Sequence, residues 1–150
     1  GNLAIAVTLM AKRRELPISK AVLLIYPVTD RRMETESMKK YTDTPMWNER
    51  LNAKMWEYYL GKQVPEFIEY ASPMEAESMQ GFPASYMEVA EYDCLRDEGI
   101  AFAKRLREAD VPVELHVVKQ ACHGFETAIK SSVTRTAMER RIEFLKRMKV

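Results

Sequence analysis

The apolar run Ala84-Ser85-Tyr86-Met87-Glu88-Val89-Ala90 ends in Glu91-Tyr92-Asp93-Cys94-Leu95-Arg96-Asp97-Glu98-Gly99, and a helical pattern leaves that turn. Asp93 therefore stands at the carboxyl end of a buried strand. In open α/β sheets, ligands and catalytic groups gather along that edge. A second such turn, Gln120-Ala121-Cys122-His123-Gly124-Phe125, follows the run Val111 to Val118. An Asp and a His at the ends of neighbouring strands have the placement of the acid–imidazole pair of a hydrolytic triad.

The rest of the chain fits around these two turns. Gly1 to Arg14 reads as a helix with Leu3, Ala4, Val7 and Met10 at helical spacing, and its C-terminal end carries Lys12, Arg13 and Arg14, where cations suit the macrodipole. Lys20 to Tyr26 is continuously apolar, as expected of a strand covered on both faces in a parallel sheet. Residues from Val28 to about Met46 are polar and irregular. Met46 to Leu60 reads as a helix with Trp47, Leu51, Met55, Trp56 and Tyr59, stopped by Gly61. Val64 to Pro83 is a proline-marked loop. Residues 97–109 form a helix with Ile100, Phe102, Ala103, Leu106 and Ala109 inward. Ser132 to Met148 forms the last helix, with Ala137, Met138, Ile142 and Leu145 at helical spacing. Helix, strand, excursion, strand, helix, strand, helix is the alternation of a parallel α/β sheet. Three strands are few, since the mean sheet has about five or six.

Composition narrows the function classes. One hundred and fifty residues make one domain with a real core. A net charge of +1 gives no broad basic surface, so nucleic acid is not an expected partner. The longest apolar run, Ala21 to Tyr26, is too short to span a bilayer. No signal peptide is visible at Gly1, and two cysteines do not make a disulfide scaffold. A reducing, cytoplasmic compartment is the default expectation.

Taken in order, Gly1-Asn2-Leu3-Ala4, Leu24-Ile25-Tyr26-Pro27-Val28-Thr29-Asp30, Ala71-Ser72-Pro73, Tyr92-Asp93-Cys94-Leu95-Arg96-Asp97-Glu98-Gly99 and His123-Gly124-Phe125 resemble the C-terminal half of an α/β-hydrolase. The resemblance is to the hormone-sensitive-lipase-like esterase family and covers nearly the whole chain. It implies the C-terminal part of an α/β-hydrolase fold, a mostly parallel sheet flanked by helices, in a single domain over 1–150. The excursion at about 28–83 would contribute a lid or pocket wall.

The resemblance further implies that Asp93 is the triad acid and His123 the base. Cys94 stands where the family usually has Pro. Met33, Met38, Met46 and Trp47 would line the acyl pocket, with plain packing as the competing reading. The family's nucleophile lies in a G-x-S-x-G elbow followed at once by G-N-L. No G-x-S-x-G occurs in these residues, and none of the seven serines has that context. The chain thus reads as a fragment that begins just after the elbow, lacking the serine and the oxyanion loop.

The function implied is a serine carboxylesterase or lipase in the parent form, acting on small-molecule esters of short to medium acyl chains, without a cofactor. The rival reading is a non-catalytic remnant that binds or associates, through an unpaired sheet edge at Lys20–Tyr26. A homodimer through the last strand and final helix is the assembly the family suggests.

Several residues carry a plainer reading. Asp97 reads as a helix-start residue and His116 as structural. Cys94 and Cys122 flank the two turns as small buried thiols, with a disulfide or redox switch as the alternative. Two His and two Cys lack metal-ligand spacing. Arg135, Arg140, Arg141, Lys146, Arg147 and Lys149 read as a solvated helix face.

Overall fold

The computed structural model describes residues 1–148, so Lys149 lies outside the described residues. Three parallel strands, β1 (Ala21–Ile25), β2 (Ala84–Tyr92) and β3 (Val113–Cys122), form one sheet in the order β1-β2-β3. The fold is α/β, as the alternation predicts. Helices α1 (Asn2–Arg13) and α4 (Arg96–Glu108) cover one face. There Ile5, Leu9, Val22, Leu24, Met87, Phe102 and Leu106 make the main core. Helix α5 (Ser132–Met148) covers the other face through Ala90, Val118, Phe125 and Ala137. Gly99 lets α4 lie close to the sheet: a Cβ there would meet Val89 Cγ1 at 2.5 Å.

The excursion between β1 and β2 carries two helices, not one. The first, α2 (Glu36–Lys40), was not expected in the irregular stretch. Thr35 caps it by accepting from the Met38 N–H. It is latched to the acid turn: Ser37 Oγ donates to Cys94 O at 2.8 Å, and the Ser37 N–H donates to Asp97 Oδ2 at 2.8 Å. The second, α3 (Glu49–Leu60), starts later than the expected Met46 because Asn48 caps it, accepting from the Leu51 N–H. Gly61 ends it at φ 59°, as expected. Asn2 ties the start of α1 to the excursion, its amide donating to Val28 O and Ala71 O at 2.8 and 2.7 Å.

Four expected burial patterns are corrected. In α1 the buried residues are Ile5, Ala6, Thr8 and Leu9, while Leu3 and Val7 are exposed. That helix is apolar almost all round, so two stripes can be drawn, and packing against β1 and the 68–75 segment selects the other. In β1 only Val22 and Leu24 are buried, while Ala21, Leu23 and Ile25 are half-buried. β1 is an edge strand with no second partner among the described residues. In α3 only Asn52 and Trp56 are buried, so Leu51 and Tyr59 lie on the surface.

In α5 the inward residues are Thr134, Ala137 and Phe144, and Met138, Ile142 and Leu145 are exposed. Arg141 explains that rotation. It is not on a solvated face but beneath the sheet, donating to fully buried Glu88 at 2.5 Å. Tyr86 donates to the other Glu88 oxygen at 2.7 Å. A carboxylate in mid-strand needs such partners, because an unpaired buried charge is costly. Arg141→Met is expected to destabilise the chain by about 3–5 kcal/mol, by stranding Glu88. Urea unfolding should show a lower midpoint with an unchanged slope.

Candidate active site

The register of β2 and β3 brings the two turns together. Tyr92 pairs with Cys122, so the next residues, Asp93 and His123, leave adjacent strands side by side. The register shifts between Ala90 and Tyr92, where Gln120 adopts φ 56° and its N–H donates to the Glu91 carboxylate at 2.8 Å. This irregularity carries β3 beyond the expected Val118 and sets where it delivers His123.

His123 Nδ1 lies 2.8 Å from Asp93 Oδ2. Asp93 is fully buried, and its Oδ1 accepts from the Leu95 N–H at 3.0 Å. With the carboxylate accepting, Nδ1 carries the proton and Nε2 is left as a proton acceptor. The His123 side chain is 23% exposed, so it remains reachable from solvent. Gly124 follows at φ 72°, in the left-handed region, and a Cβ there would lie 3.3 Å from Met46 Cε. The left-handed φ calls for glycine, and a side chain there would also have to push Met46 aside.

Two aromatic rings pack against the imidazole: Tyr26 with centroids 4.2 Å apart and Trp47 at 5.8 Å. Trp47 also borders an open apolar trough of about 510 Å³ with Leu51, Lys54, Met55, Tyr58 and Tyr59. A second hollow of about 230 Å³ lies between Trp47, Met55, Trp56, Tyr59, Leu3 and Val28. A separate cavity of about 710 Å³ is lined by α1 and the 66–78 loop and includes none of these site residues.

Of the four expected pocket residues, Trp47 lines both hollows and touches the imidazole, and Met46 packs on Gly124. Met38 is 1% exposed and packs with Tyr41, Cys94 and Leu95; Met33 is half-buried against the same cluster. Met38 thus has no surface to offer a ligand in this arrangement. Tyr26, Leu51, Met55 and Tyr59 are the neighbours that sequence reasoning missed as site residues. The apolar stripe of α3 hinted at Leu51, Met55 and Tyr59, and nothing local hinted at Tyr26.

Asp97 opens α4 and holds Ser37, the structural role expected of it. His116 lies 2.8 Å from Glu114 and against Tyr86, away from the pair. Both thiols are free, and burial beside Asp93 pushes the Cys94 thiol far up, which keeps it protonated and inert. Among the described residues no His, Cys, Asp and Glu cluster is placed to hold a metal. No described helix is long and apolar enough to cross a membrane.

Behind the acid turn, Glu98 is buried at 1% exposure and accepts from the Thr29 and Asp30 N–H groups at 2.6 and 3.3 Å. Burial outweighs those donors and pushes its carboxyl up to about 8 from 4.5. A raised folded value means that this stabilisation is complete below about 4.5 and lost as pH rises through about 8. The loss is on the order of 4 kcal/mol at most. Thermal unfolding of Glu98→Gln is therefore expected to depend less on pH between those limits than that of the unaltered chain.

A family model described as the alpha/beta hydrolase fold matches residues 1–127. Over 98% of the chain, the structure superposes with a TM-score of 0.94 and 33% identity on 48% of a bacterial heroin esterase. Esterase LipW from Mycobacterium marinum gives 0.91 and 30%, with 98% of this chain and 46% of that one covered. Among sequence relatives, esterase LipI of Mycobacterium tuberculosis is 30% identical over 126 residues, which is 83% of this chain and 39% of the relative. The chain thus spans about half the length of the relatives it matches. On a parallel sheet that delivers Asp93 and His123 side by side, and on likeness running nearly end to end, this chain belongs to the esterase and lipase family of the α/β-hydrolase fold.

Proposed function

We propose that Asp93 and His123 are the acid and base of a serine carboxylesterase for short to medium acyl esters, with the serine carried by a segment outside these 150 residues. The observation that supports this best is the 2.8 Å pair at the carboxyl ends of two adjacent parallel strands, beside an apolar trough. In this reading His123 Nε2 takes the serine proton as the hydroxyl attacks the ester carbonyl, then gives it to the departing alcohol. A water molecule, activated by the same nitrogen, releases the acid from the acyl-enzyme. Asp93 holds the tautomer and stabilises the imidazolium. Trp47, Leu51, Met55 and Tyr59 offer an apolar wall to the acyl or alcohol part. This chemistry calls on no cofactor.

A series of p-nitrophenyl esters, assayed on the longer serine-bearing form, tests the substrate class. Short and medium chains are expected to react fastest, and a preference for long chains, or no esterase activity, would contradict the reading.

A second reading draws on the outer edge of β1 and on exposed Leu3 and Val7. Such an edge beside exposed apolar residues suits association with another polypeptide or another copy of this chain. On that reading the chain alone has no catalytic role, and light scattering should find it self-associated.

A further inference from the structure

We propose that Tyr26 is a positioning residue for His123, held in place by Glu126 and the buried Arg141–Glu88 pair. This rests on the reading of His123 as the base. Three observations point to Tyr26. First, its ring packs on the imidazole at 4.2 Å between centroids, tilted by 46°. Second, its backbone sits at φ 27°, which side-chain-bearing residues rarely adopt. The Tyr26 N–H, donating to Glu88 O at 2.7 Å, holds that conformation against the following Pro27, which favours extended backbone in the residue before it. Strain of this kind persists only where the surroundings over-determine it, and it gathers at functional sites. Third, the Tyr26 hydroxyl donates to Glu126, which lies in the turn just after His123.

The tether continues beneath the sheet. Glu126 lies 3.9 Å from Arg141, and Arg141 donates to buried Glu88. Burial and the Glu126 carboxylate push the Tyr26 phenol far up, so it stays a donor. The groups on the imidazole are thus Asp93 from the end of β2, Tyr26 from the end of β1 and Trp47 from the excursion, while Glu126 and Arg141 stand behind Tyr26. Asp93 fixes one atom of the ring, and a single hydrogen bond leaves the ring free to swing about it. The Tyr26 face removes that freedom and keeps water off one side of the Nδ1–H···Asp93 bond.

Nuclear magnetic resonance of the 150-residue chain, with its two histidines labelled with nitrogen-15, tests this without needing turnover. His116 serves as the internal reference, because it packs on Tyr86 and not on Tyr26. In Tyr26→Phe the ring remains but the tether is cut, and in Glu126→Ala the tether is cut from the other end. Each variant is expected to speed exchange of the His123 Nδ1 proton with water about fivefold, the effect of one net hydrogen bond. Each should also mix in the Nε2–H tautomer, with His116 unchanged. Wild-type exchange and tautomer in both variants would overturn the proposal, as would equal changes at both histidines in a folded variant. If Tyr26→Phe unfolds, Glu126→Ala, which alters a partly exposed side chain, decides. Asp93→Asn separates the two claims. If it leaves the His123 Nδ1 proton untouched, the acid–imidazole reading fails; if it abolishes that signal while both tether variants look native, only the role of Tyr26 fails.

Discussion

His123→Ala, made in the serine-bearing form, is expected to lower kcat by about 10⁵–10⁶-fold, with KM little changed. The size follows from what the residue does in the proposed mechanism. Nε2 is the only proton acceptor that the Asp93 pair presents at this strand edge, and the same atom must serve attack, alcohol departure and water activation. Its loss removes all three together. The residual rate would come from substrate binding and from whatever stabilises the oxyanion. The fold should survive, because the imidazole is partly exposed and no backbone group hydrogen-bonds to it among the described residues. Steady-state hydrolysis of a short-chain p-nitrophenyl ester, with circular dichroism of the same sample, checks both halves. A fall of less than about tenfold would remove His123 from the chemistry.

Asp93→Asn is expected to cost about 10⁴-fold in kcat, and for a different reason. Asn is close in size and leaves an oxygen for the Leu95 N–H, so the turn at the end of β2 should hold. The side-chain amide, however, presents a donor where the carboxylate accepted. Nδ1 must then accept, the proton moves to Nε2, and the nitrogen facing the serine loses its lone pair. Asp93 is fully buried, so no water can stand in for the lost acceptor. Asp93→Ala would confound this with an unpaired backbone donor and a cavity, which makes Asn the cleaner variant.

The sheet, its strand order and the placing of Asp93 and His123 at one edge were legible because each depends on local signals. Apolar runs mark strands, and turn residues mark their ends. Which face of a helix turns inward was less legible. In α1 the residues from Leu3 to Met10 are apolar apart from Thr8, so spacing alone admits two answers. In α5 the decisive residue is Arg141, whose charge suggested solvent. Glu88 carried the missing clue, since a carboxylate within an apolar strand calls for buried donors, here Tyr86 and Arg141. Tyr26 could not be read as a site residue, because its partner Glu126 lies 100 positions away. For Met38 the sequence left pocket lining and plain packing both open, because a flexible apolar residue suits either, and in this arrangement it is packed among Tyr41, Cys94 and Leu95.

The central claim is that Asp93 and His123 serve a serine that lies outside these residues. Intact mass after exposure to a fluorophosphonate probe tests it most directly. The 150-residue chain should gain no adduct, since none of its serines stands in a nucleophile elbow. The longer form should gain one, and His123→Ala should abolish that labelling. A stoichiometric adduct on the 150-residue chain, or labelling of the longer form that ignores His123, would contradict the account.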